Sequence, residues 1–189
     1  MKNLTYPTCT LEEYLLCEEQ SEYRNEFHNG EIEAMAGESQ NHSILCHNIH
    51  GLLFQALGDR NCKTFSSNMK VYIPECNAMY YPDVSVICGV VHMALERNDI
   101  ILNPLLLFEV LSKSTAKFDQ GEKFDNYKTL DSLQEYVLID QYRYKVQVFV
   151  KEKDKWKATE YIDPTVSFFL KSIGTYLSVA TLYRKVEFP

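Results

Sequence analysis

The sequence predicts one α/β or α+β domain over residues 1–189, built round a central strand covered by helices, and three of its features predict that class. Residues 105–111 are apolar on both faces: Leu105, Leu107, Glu109 and Leu111 on one, Leu106, Phe108 and Val110 on the other. Ile44, Leu45, Ile49, Leu52, Leu53, Ala56 and Leu57 form a stripe at helical spacing. Thirteen Tyr and ten Phe favour a sheet over a helical bundle, and at 189 residues with 46% hydrophobic content the chain can bury a full core.

The elements follow in chain order. Thr10 is placed to cap a first short helix ending near Ser21, with Glu12 and Glu13 in the first turn, where acids favour the helix dipole. Stretches 23–27 and 31–35 flank His28-Asn29-Gly30, a strong hairpin signal. A longer helix starts at Ser39 or Asn41 and stops at Gly58. Strands are expected over 62–73 and 80–88, then an irregular stretch, then the 105–111 strand. Ser114 or Thr115 opens a helix toward Leu130, with Phe118, Phe124, Tyr127 and Leu130 as its apolar contacts. The tail alternates like a β-meander over 135–139, 145–150 and 156–162, and a last short helix covers 179–184.

A net charge of −7 argues against a generic polyanion binder, because nonspecific affinity for nucleic acid comes from clustered Lys and Arg. The six cysteines include no C-x-x-C pair, and the first seven residues lack the apolar core of a leader, so free thiols in a reducing cytoplasm are the economical reading. No run approaches the roughly 18 to 20 apolar residues that a membrane helix needs.

Two acids stand out against this background. Asp83 follows Pro82, which has no N–H and belongs at a strand start, and Glu109 sits inside the most apolar strand. An ionised carboxylate in such a place costs several kcal/mol unless a metal, a cation or donors compensate it. Two of them suggest a shared divalent cation; the plainer alternative is a capping Asp83 and a Glu109 paired with a structural lysine. Lys123 and Lys70 are the rival sources of a nearby cation, although an i, i+4 contact with Asp119 would by itself account for Lys123. His42, Cys46 and His50 recur every four residues, yet they spread over about 12 Å of helix, too far for one ion. His42, at the helix start, is placed to face the acids. The basic and aromatic stretch Tyr142, Tyr144, Lys145, Lys151, Lys153, Lys155, Trp156 and Lys157 reads either as a nucleic-acid contact or as an edge protected against aggregation.

Six segments resemble one known family: residues 22–32 (Glu-Tyr-Arg-Asn-Glu-Phe-His-Asn-Gly-Glu-Ile), Met35-Ala36-Gly37 with His42 following, residues 65–71, Tyr80-Tyr81-Pro82-Asp83-Val84, Phe108-Glu109-Val110-Leu111-Ser112 and residues 119–124. In order and spacing they are similar to the Uma-type restriction endonucleases, within the PD-(D/E)XK nuclease superfamily. The resemblance implies a restriction endonuclease-like central mixed β-sheet flanked by helices. It also implies Asp83 and Glu109 as ligands of Mg2+, or of Mn2+ in its place, and phosphodiester hydrolysis of DNA. The superfamily's usual lysine two residues after the acid is Leu111 here, so the cation must come from elsewhere; Lys123 matches a recurrent family position, with Lys70 second. Asn68 stands where the family often has Asp. Glu31, also at a family position, is expected as a further ligand or supporting base. A homodimer is the expectation for cutting both strands. The alternatives are a catalytically weak nucleic-acid-binding or regulatory module, and hydrolysis of a smaller phosphoester such as a nucleotide.

Overall fold

A computed structural model describes residues 8–35, 37–153 and 155–188; the leader reading of residues 1–7, and Ala36 and Asp154, lie outside the described residues. The Thr10 hydroxyl accepts the Glu13 N–H and the Glu13 carboxylate accepts the Thr10 N–H, a capping box that opens α1 (Leu11–Gln20). β1 (Asn25–His28) and β2 (Glu31–Ala34) form the predicted hairpin through Asn29 and Gly30, both at positive φ. Ser39 caps α2 (Gln40–Leu57), which ends at Gly58.

Each of the two long strands expected next is divided. A turn at Ser67 and Asn68 separates β3 (Cys62–Ser66) from β4 (Lys70–Ile73), and Pro82 interrupts the ladder between β5 (Ala78–Tyr80) and β6 (Val84–Cys88). Each half then joins a different sheet. β7 (Ile100–Ile101) lies in the stretch read as irregular, and β8 (Leu106–Leu111) is buried along its whole length, as a central strand should be. The helix expected from Ser114 to Leu130 is two, α3 (Ala116–Gln120) and α4 (Glu122–Tyr127), broken at Gly121. β9 (Glu135–Asp140), β10 (Val146–Glu152) and β11 (Lys155–Tyr161) make the meander. A hairpin of β12 (Ser167–Leu170) and β13 (Thr175–Ser178), absent from the sequence reading, precedes α5 (Val179–Leu182).

The main sheet runs β11-β10-β9-β8-β6-β3 and is mixed, since β8 and β9 pair in parallel and the other neighbours antiparallel. A second sheet runs β2-β1-β5-β4-β7. On one face of the main sheet Val84, Val86, Leu106, Phe108 and Val110 pack with Leu45, Ile49 and Leu53 of α2. On the other face Leu107, Leu111, Tyr136 and Leu138 pack with Phe124 and Tyr127 of α4 and with Val71, Ile73 and Tyr80 of the second sheet. Glu109 shares the second face, between the two sheets, by the alternation of a strand.

The expectation of six free thiols is corrected at one pair. The β3–β6 register sets Cys62 directly opposite Cys88, and the two form a disulfide, whereas Cys9, Cys17, Cys46 and Cys76 are free. Among the described residues no helix is long and apolar enough to cross a membrane.

Gly121 has a packing reason. A Cβ there would lie 3.1 Å from the Lys117 carbonyl oxygen, closer than backbone readily allows. Gly121→Ala is therefore expected to cost about 1–3 kcal/mol, as overpacking does, read as a lower thermal midpoint; an unchanged midpoint would show that the α3–α4 junction yields freely.

Candidate active site

Three elements deliver the acids and their cation. Asp83 precedes β6, and β6 pairs antiparallel with β8 through Val84 and Phe108, so Asp83 comes to rest beside Glu109. Asp83 Oδ2 accepts the Val110 N–H at 2.7 Å, and Glu109 Oε2 accepts the Asp83 N–H at 3.4 Å. Both acids are buried. α4 packs over this face of the sheet and sends Lys123 inward, with Nζ 3.0 Å from Glu109 Oε1, 2.9 Å from Glu26 Oε1 and 3.7 Å from Asp119 Oδ1. The Asp119 contact alone would have made Lys123 an ordinary surface residue. It is instead the longest of three, and Lys123 is only 4% exposed.

His42 joins from the first turn of α2, its Nε2 3.1 Å from Asp83 Oδ2. The Tyr127 hydroxyl donates to Glu109 Oε1 at 3.3 Å. Asp83, Glu109, Lys123 and His42 are thus brought together. Glu31 is not. It is exposed and stands opposite His28 beside the hairpin turn, while Glu26, one strand repeat away on the same hairpin face, reaches Lys123 and accepts the Tyr81 N–H at 3.0 Å. Lys70 is drawn elsewhere, 2.6 Å from Asp99 and over the Tyr81 ring. Leu111 is buried among the apolar residues of the second face, and Asn68 sits in the β3–β4 turn.

The sequence reading missed Glu26 and the burial of Asp119. Glu26 could have been found from the hairpin register, which places it next to core Phe27 and on the face it shares with Glu33. Asp119 was visible only as an i−4 neighbour of Lys123.

The group lines a cavity of about 520 Å³, with Arg24 and Lys113 among its other walls. Its electrostatics are strained by excess negative charge: Glu26, Asp83, Glu109 and Asp119 converge on one lysine and one histidine. Burial pushes the Glu109 carboxyl well above the usual range against the pull of Lys123, and the charges of Asp83, Asp119 and Glu26 push it further. Burial likewise raises Asp119, opposed by Lys123. For Lys123 burial acts downward but Glu109, Glu26 and Asp119 outweigh it, so its pKa stands well above the ordinary value. For His42 too, burial acts downward, and the hydrogen bond and charge of Asp83, helped by Glu38, raise it overall. Of these acids, Asp83 and Glu109 are the hard oxygen donors that could hold a divalent cation, since an ion of the magnesium kind takes one or two carboxylates and fills its remaining positions with water and phosphate oxygens.

The basic and aromatic stretch is divided: Tyr142 lines the cavity with Lys113 over its ring, and the other aromatic residues are packed. Trp156 meets Phe124 edge-on with ring centres 5.2 Å apart, Tyr144 packs on Tyr183 and Phe188, and Lys145 pairs with Glu160 at 2.7 Å. Lys155 and Lys157 are exposed on β11, an edge strand, where lysine discourages edge-to-edge pairing.

The Uma2 family profile, described as "Putative restriction endonuclease", matches residues 11–180. Two proteins of Synechocystis, described only as uncharacterized, are similar to this chain. One, sll1609, is 43% identical over 80% of this chain and 86% of its own length; the other, slr1290, is 33% identical over 97% and 95%. A solved chain described as "a putative nuclease belonging to DUF820", from Anabaena variabilis, superposes with a TM-score of 0.78 at 19% identity over 93% of this chain and 98% of that one, which shows a shared fold.

Proposed function

The chain belongs to the Uma2 family, and on that premise we propose that it is a metal-dependent nuclease hydrolysing phosphodiester bonds of DNA. The observation that carries this reading is the pair Asp83 and Glu109, both buried, opening on one cavity with Lys123 Nζ 3.0 Å from Glu109. Asp83 and Glu109 would hold Mg2+, or Mn2+ in its place. When bound, such a cation lowers the pKa of a water and polarises the phosphate. Lys123, bound to three carboxylates, fixes the Glu109 carboxylate and supplies positive charge close to where negative charge develops. His42, with Nε2 3.1 Å from Asp83 Oδ2, steadies that carboxylate. Arg24 and Lys113, on the cavity walls, offer cations to the flanking phosphates and answer the objection from the overall charge of −7.

One observation favours a second reading, a nucleic-acid-binding module with little catalysis: Lys123 is already held by three acids and Leu111 supplies no other cation. Metal dependence separates the two. Purified protein is incubated with supercoiled plasmid and with single-stranded DNA in Mg2+, Mn2+ or EDTA, and Asp83→Ala is carried alongside to expose contaminating nucleases. Nicking that needs the metal and vanishes in the variant is the expected result. Equal behaviour of wild type and variant, with DNA binding retained in EDTA, would hand the site to the binding module.

A further inference from the structure

Cys46 takes no part in the chemistry above, yet it stands at the edge of the same cluster. It lies one helical turn after His42, so both side chains leave α2 on the face turned toward β6. Its Sγ is 3.6 Å from His42 Nδ1, while His42 Nε2 is 3.1 Å from Asp83 Oδ2. One donor atom from each of His42, Cys46 and Asp83 can be chosen so that all three lie within 4.8 Å of one another. In a tetrahedral zinc site, bonds of about 2.0–2.3 Å place neighbouring donors roughly 3.3–3.8 Å apart. The thiol and the carboxylate now face different ring nitrogens of His42, so a single ion requires the imidazole to turn and the other two side chains to follow it. His50, the third member of the helical stripe, is not among these donors; the third candidate donor is Asp83, the residue before β6, which spacing along the helix could not disclose.

From this we infer that His42, Cys46 and Asp83 form a second cation site, of mixed nitrogen, sulfur and oxygen donors, that takes a thiophilic divalent cation of the zinc class. Sulfur sets its preference: thiolate and imidazole select zinc-like ions over magnesium, whereas the all-oxygen pair Asp83 and Glu109 suits the hard cation. Three protein ligands leave the fourth position to water. On binding, the Cys46 S–H bond breaks, its proton goes to solvent, and sulfur bonds to the ion; the Asp83 carboxylate exchanges its His42 contact for the same ion. Asp83 cannot serve both sites without compromise, so occupation by zinc withdraws it from Glu109. That consequence rests on the proposed nuclease reading; the site itself does not.

Cobalt reports on such a site directly, because a thiolate bound to Co2+ absorbs in the near ultraviolet. Full-length wild-type protein is titrated with Co2+ in the presence of excess Mg2+, followed by Zn2+ competition against a chromophoric chelator, with Cys46→Ser, Cys46→Ala and His42→Gln alongside and circular dichroism to establish that each is folded. One equivalent should give the charge-transfer band. Both Cys46 variants should lack it, and all three should bind Zn2+ more weakly by at least the ten- to hundredfold that loss of a mere supporting partner costs. A band that survives in the Cys46 variants, reporting Cys9, Cys17 or Cys76 instead, overturns the inference, as does the absence of a band in wild type. In the cleavage assay, one equivalent of Zn2+ should suppress nicking by wild type and spare Cys46→Ser. If wild type proves unable to cut DNA at all, the nuclease reading fails, and the cobalt band still decides the site.

Discussion

Glu109→Gln is expected to lower metal-dependent cleavage by about 10²–10³-fold or more, the scale on which removal of one group that stabilises developing charge is felt, while leaving the protein at least as stable as wild type near pH 8. The two halves have one cause. Burial, together with the charges of Asp83, Asp119 and Glu26, disfavours the Glu109 carboxylate more than Lys123 favours it, which is what its raised pKa expresses. A neutral amide escapes that penalty. With its oxygen in the Oε1 place the amide still accepts from Lys123 Nζ and from the Tyr127 hydroxyl, and Lys123 keeps Glu26 at 2.9 Å; what is lost is the long 3.4 Å bond from the Asp83 N–H, which then faces the amide NH2. Cation affinity falls with the lost charge. Thermal denaturation and isothermal titration with Mn2+ read the two effects separately. If the Glu109→Gln variant melts well below wild type, the carboxylate is there for the fold; if it binds Mn2+ as wild type does, Glu109 is removed from the metal site. Functional sites often hold such unfavourable charge, and its neutralisation trades activity for stability.

How much of this was legible depended on whether a feature was local. The acids Asp83 and Glu109 announced themselves because a carboxylate is conspicuous in an apolar strand, and the two-residue turn at Asn29-Gly30 because only a few residues adopt positive φ at low cost. Choosing among acids on the hairpin was harder. Glu26, Glu31 and Glu33 all lie on its one face by register, and only the packing of β1 against β5 decides that the end bearing Glu26, and not the turn bearing Glu31, approaches Lys123. Which of Lys70 and Lys123 reaches the acids likewise depends on partners remote in sequence: Asp99 engages Lys70, and Lys123 lies 3.0 Å from Glu109. Long-range register also explains the Cys62–Cys88 disulfide, since 26 residues of separation say nothing until β3 and β6 are paired. The β12–β13 hairpin went unseen because each strand has four residues, too few for alternation to rise above chance.

Lys123→Met should be the most damaging single change to stability, by about 3–5 kcal/mol, the cost of leaving a buried charge without its partner, and on the order of 10 °C in the thermal midpoint. Methionine fills the space of the lysine stem, so the loss isolates the charge. Three carboxylates then face one another at the junction of β1, β8 and the α3–α4 pair, with the cation that held them together removed. The damage must depend on pH, and its sign follows from the acids that remain. Glu109 and Asp119 already have folded-state pKa values above their ordinary range despite Lys123. Without it they rise further. A group whose pKa is higher folded than unfolded contributes its full share below the unfolded value, about 4 for a carboxyl, and that share is lost as pH rises through the folded value. The deficit of the variant is therefore smallest near pH 5 and largest near pH 8, whereas wild type, with Lys123 charged throughout that range because its own pKa is raised, changes less. Urea denaturation of both proteins at pH 5, 6.5 and 8 measures this. A deficit equal at all three values, or below about 1 kcal/mol at pH 8, would mean that the acids relax into water when the lysine is lost, and that the buried cluster is looser than the distances around Lys123 imply.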